Sequence, residues 1–108
     1  MLKGRSALEV PVSKNGIPIR ITDERWTHVV ESHDYMAGNR DLVVETIEDS
    51  DYIVTGRKEE LVALRHYHST SISEEHVVAV YREFVDDGFL ITAFMTSDPE
   101  TILRKGVV

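Results

Sequence analysis

Four segments dominate the second half of this chain: "DYIVTG", "ELVALRHYHS", "HVVAVYREFV" and "GFLITAFMTS", separated only by "RKE", "TSISEE" and "DDG". Each is rich in β-branched and aromatic residues, and apart from the first each is long enough for a full strand. Asp87 and Gly88 form a tight-turn pair, so the last two runs are expected to make an antiparallel hairpin.

The first half has a different period. In "TDERWTHVVESH", Trp26, Val29, Val30 and His33 recur at helical spacing, with Thr22 or Asp23 as cap. A loop with "MAGN" leads to a second helix through "RDLVVETIEDS", begun by Asn39 or Asp41, whose buried side is Leu42, Val43, Ile47 and Val44. Ahead of both, the segment to Gly16 is weakly patterned, and Ile17 to Ile21 reads as a short β-like run. The end, "SDPETILRKG", reads as a short helix with Ser97 or Asp98 as cap, Pro99 at the first helical position and Gly106 past the end. Helices followed by consecutive strands predict an α+β fold. The expected form is two N-terminal helices on one face of a four-stranded antiparallel sheet, or five-stranded if Ile17 to Ile21 joins it, plus a short C-terminal helix. At 108 residues the chain is expected to be a single domain, 1–108, with 1–16 weakly structured.

Charge narrows the function. Twelve Lys and Arg against 19 Asp and Glu give a net charge of −7, which disfavours a general nucleic-acid binder that must neutralise phosphates. No cysteine is present, so thiolate zinc sites and disulfides are excluded and any metal must be held by His and carboxylate. Neither a membrane-length apolar run nor the apolar core of a signal peptide is found, and a cytoplasmic location is expected.

Within "LRHYHSTS" the question is which side of the strand does chemistry. Val62 and Leu64 are bulkier than Ala63, so alternation turns His66 and His68 toward the helices and leaves Arg65 and Tyr67 on an open face. In the strand before the last, the hydroxyl-bearing set is expected to face outward, which puts Val78 and Val80 inside and Val77, Ala79, Tyr81 and Glu83 outside. In the last strand the same reasoning puts Phe89, Ile91, Ala93 and Met95 inside and Leu90, Thr92, Phe94 and Thr96 outside. An open face with Arg65, Tyr67, Tyr81, Thr92 and Thr96 would suit an oxyanion such as phosphate. Equally, it describes a solvated face with ordinary cross-strand pairs. The His-x-His spacing of His66 and His68, with His76 as third ligand, is the metal alternative, and it is the less favoured one. His28 and His33 are five residues apart, about 140° around a helix, so they do not share a face. His33 closes the apolar stripe at the helix end, from where it can reach around the sheet edge.

"ITDERWTHVVESHD", "LVVETIEDSDYIV" and "VVAVYREFVDDGFLITAFMT", with a late Lys105, together resemble the barnase, EndoU, colicin and RelE-like (BECR-fold) nucleases of bacteria and phages. The likeness runs from about Ile21 to Gly106, with "HDY" where such sequences usually read His-Pro-Glu. It implies a nuclease-like domain of two helices and a four-stranded antiparallel sheet, acting as a metal-independent endoribonuclease of toxin or effector type by 2′-OH transesterification, with no cofactor and no metal ligand. Positions matching the family are His28, His33, Arg65, Thr92, Thr96 and Lys105. Joined with the open-face reading, which adds Tyr81 and Tyr67, and with the basic Arg57, this gives an expected catalytic set of His33, Arg65, Tyr81, Thr92, Thr96 and Lys105, with His28, Tyr67 and Arg57 as substrate contacts. RNA is the expected partner, alongside a small protein partner or antitoxin. The alternative is a catalytically inactive protein-binding module on the same fold, with Phe94 and Tyr67 at the centre of its interface.

Overall fold

A computed structural model describes residues 10–106, with side chains through Arg104. Helix α1 spans Asp23–Ser32 and starts where Thr22, in extended conformation, accepts a bond from the Arg25 amide; it ends at His33, whose N–H reaches the Val29 carbonyl. Of the two expected caps, Thr22 is the one used. A 3-10 turn over Asp34–Met36 leads to α2, Arg40–Glu48, which buries Val43, Val44, Thr46 and Ile47. Five strands follow the order β1-β5-β4-β3-β2, with β1 at Ile19–Arg20, β2 at Tyr52–Thr55, β3 at Leu61–Tyr67, β4 at Glu75–Glu83 and β5 at Gly88–Thr96. A 3-10 turn at Arg57–Glu59 joins β2 to β3, and α3, Glu100–Gly106, ends the described chain. The α+β class and the four antiparallel strands agree with expectation. The fifth strand, however, runs parallel to β5 and pairs Ile19 with Gly88, so the sheet is mixed.

Helices α1 and α2 pack on one face of the sheet, against Ala63, Val77, Ala79, Tyr81, Leu90, Ala93 and Met95. That reverses the face assignment made from bulk for β3 and from hydroxyls for β4. Ala63, Ala79 and Ala93 are register partners, forming a row of small side chains across three strands under the helices. A small row lets Val43, Val44 and Ile47 of α2 approach the sheet closely, so smallness marks the helix-covered side here and not the solvent side. The opposite face is also apolar. There Val62, Leu64 and Val78 are joined by Val54, Val80 and Phe94, and Ile102 and Leu103 of α3 cover them. The uninterrupted apolar run of β4 is therefore the signature of a strand covered on both sides.

In β5 the expected alternation holds for Ala93 and Met95 against Thr92, Phe94 and Thr96, then breaks. Val80 pairs with Thr92 but Tyr81 pairs with Leu90, which leaves Ile91 as an extra residue in a bulge. Leu90 consequently turns inward, 1% exposed, although strict alternation placed it outside. The β4–β5 hairpin closes through Phe84, whose amide donates to the Asp87 carbonyl. Gly88 itself is a strand residue, pressed between β4 and β1. Ahead of β1, Val12 bridges Pro18, and Ser13 donates to the Glu83 carboxylate. No helix among the described residues is long and apolar enough to cross a membrane.

Candidate functional site

Backbone register divides the residues named from sequence into two groups on opposite faces. On the α2 side, the Arg65 guanidinium donates from Nη1 to both the carbonyl (2.7 Å) and the carboxylate (3.0 Å) of Asp49, and its Nε stands 3.7 Å from Glu45. Asp49 is the C-cap of α2, so Arg65 is a cation at a helix C-terminus, held there by the helix's free carbonyl and its negative end. Tyr67 lies beside the guanidinium at 5.4 Å and donates its hydroxyl to Glu45 at 2.5 Å. Burial and the Glu45 carboxylate both push the Tyr67 phenol well above its ordinary range. Tyr81 is fully buried under the helices, and its hydroxyl has no hydrogen-bond partner among the described residues. Burial pushes its phenol up to about 12, with Glu83 adding to the effect. Arg65, Tyr67 and Tyr81 are thus engaged in the helix–sheet layer and do not share a face with Thr92 and Thr96. Tyr67 and the half-buried Phe94 are likewise packed within the chain, and the interface role expected of them in a binding module has no exposed ring to serve it.

The second face carries the other group. His66 pairs with His76 and His76 with Thr96, so three strands contribute one polar row beside the apolar Leu64, Val78 and Phe94 row. The His66 ring lies 4.9 Å from that of His76 and 4.8 Å from that of His68. Burial, and then the neighbouring His66, hold the His76 imidazole below its ordinary pKa and keep it neutral. At the outer side of β5, the Tyr35 hydroxyl bonds the Met95 amide at 3.3 Å and lies 3.3 Å from Nδ1 of His33. The His33 ring stands 5.6 Å from that of Phe94. The C-terminal residue of the first helix does therefore reach around the sheet edge, with Tyr35 orienting it. Thr92 and Thr96 are half-buried on this same face.

Elsewhere, His28 is exposed on α1 with Glu31 at 3.5 Å, remote in register from the polar row. Arg57 is exposed in the turn before β3, at the end of that strand opposite to His66. Lys105 lies in α3, which crosses the second face, but its side chain lies outside the described residues. Three residues escaped the sequence reading of the candidate site: Tyr35, His76 as a proton-transfer group, and Glu74. Tyr35 stands two positions after His33, in the "HDY" that departs from the family pattern, and that departure was the available signal. Glu74 precedes β4 and turns back to bond His66 at 2.7 Å, a contact made by the fold of the 68–74 connection alone.

Comparison with known proteins found no family model, curated protein or solved structure that matches the chain.

Proposed function

We propose that the chain is a metal-independent endoribonuclease of nuclease-like α+β fold, with its site on the sheet face opposite α1 and α2. The observation that carries this reading is the placement of His33 against Phe94 at the edge of the face that holds Thr96 and His76. Cleavage by transesterification needs a base for the 2′-OH proton, an acid for the departing 5′ oxygen, and donors for the phosphorane. His76, kept neutral by burial, takes the base role; His33, oriented by Tyr35, protonates the leaving oxygen. Thr96, the register partner of His76, donates to a phosphate oxygen, and Thr92 assists from the same face. The order of two helices and four antiparallel strands supports the fold, and an RNA substrate places the work in the cytoplasm.

A diverse RNA pool incubated in EDTA should be cut by the parent protein. His33→Gln and His76→Gln should each lose on the order of 100-fold to 10,000-fold in rate. No cleavage by the parent, or variants that cut at its rate, would end the assignment. The second reading, a protein-binding module, is favoured by a different observation. Arg20, Arg40, Arg65 and Arg82 all sit beside carboxylates on a chain of net charge −7, leaving them little capacity for phosphate. It predicts tight complex formation with a small basic protein and no retention of RNA.

A further inference from the structure

His66, His68 and Glu74 present one ligand atom each within 4.8 Å of one another. His68 stands one residue beyond β3 with its ring edge-on to that of His66 at 4.8 Å, and Glu74 is brought back to them by the seven-residue connection that ends at β4. A tetrahedral zinc ion holds nitrogen and oxygen donors at about 2.0–2.2 Å, which puts its ligand atoms roughly 3.3 Å apart. Nε2 of His66 and Oε2 of Glu74 are already at 2.7 Å, so closing on an ion asks only for a small opening of this pair and an approach by the exposed His68 ring.

The surroundings favour a cation. Asp51 accepts the His66 amide at 2.8 Å and brings a further carboxylate to this strand end. The neighbouring arginine, Arg65, projects to the opposite face, where Asp49 holds it. Two imidazoles and a carboxylate are a borderline, nitrogen-rich set that suits zinc better than magnesium or calcium, which prefer oxygen throughout. We propose that His66, His68 and Glu74 bind one borderline divalent cation of the zinc class, with three protein ligands, His76 alongside, and a fourth position left for water. The ion links the end of β3 to the start of β4 and fixes the 68–74 connection. It is independent of the cleavage reading, which is tested in chelator, whereas this site is tested without RNA.

Metal-stripped full-length protein titrated with zinc chloride by calorimetry should bind one ion per chain, and cobalt(II) should give the visible absorption of a four-coordinate site. Loss of a group that merely supports a ligand costs about 10-fold to 100-fold in metal affinity, so His68→Ala and Glu74→Gln should each weaken binding by at least about 100-fold. Both positions are exposed, and circular dichroism will confirm that the variants fold. His28→Ala, which removes a histidine from α1, should bind zinc like the parent. Absence of binding, unchanged affinity in His68→Ala and Glu74→Gln, or an equal loss in His28→Ala would overturn the proposal.

Discussion

Tyr81 shows how burial redefines a side chain that looks chemical in sequence. Its hydroxyl is buried without a partner among the described residues, so it contributes desolvation cost and no hydrogen bond there. At neutral pH Tyr81→Phe is expected to equal the parent in stability or exceed it by up to about 1 kcal/mol, as read by urea unfolding. The alkaline side follows from the phenol's folded pKa of about 12 against 10.0 unfolded. The fold holds this proton more tightly than the unfolded chain does. The resulting stability is complete below pH 10 and is lost as pH rises through about 12. The phenylalanine variant should therefore lose less stability than the parent between those limits. Some loss should persist, because Tyr67 shifts in the same direction. Identical curves for the two proteins would show that Tyr81 is hydrated.

At the scale of elements, the helices, strands and their order were legible because periodicity reports local geometry. Trp26, Val29 and Val30 recur as a helix requires, and β3, β4 and β5 carry the apolar, branched side chains that strands favour. The parallel pairing of β1 and the bulge in β5 were not legible, since they depend on which backbone lies alongside. Gly88 illustrates this. Its sequence neighbour Asp87 suggests a turn, but a Cβ at 88 would stand 2.5 Å from the Arg82 carbonyl oxygen and 2.7 Å from Cδ1 of Ile19. The glycine is required by close approach of β4 and β1. Gly88→Ala should cost about 1–3 kcal/mol, seen as a lower melting temperature, because a backbone oxygen of the ladder must move to admit the methyl. An unchanged melting temperature would mean that the β4–β5 ladder at Arg82 and the β1 strand both yield without cost.

Across the whole molecule, the sheet is a shared wall: α1 and α2 cover one side and α3 part of the other. Arg65 ties α2 to this wall through the Asp49 carbonyl and carboxylate. Arg65→Met should therefore lower stability by about 1 kcal/mol, discounted for the exposure of the Asp49 carboxylate, and leave RNA cleavage at the parental rate. A large loss of cleavage without loss of stability would return Arg65 to the site. By itself the sequence determined the α+β class, the element order, the antiparallel hairpins and a histidine-rich strand end, because each follows from local spacing and residue type. Which face of that strand meets the helices was decided only in the tertiary structure. Alternation distinguishes the two sides but does not say which layer covers which. The alanine row of Ala63, Ala79 and Ala93 takes α1 and α2, and α3 buries the bulkier Val62 and Leu64. Packing thereby turned Arg65 and Tyr67 inward and gathered His66, His68, Glu74 and His76 on the other side.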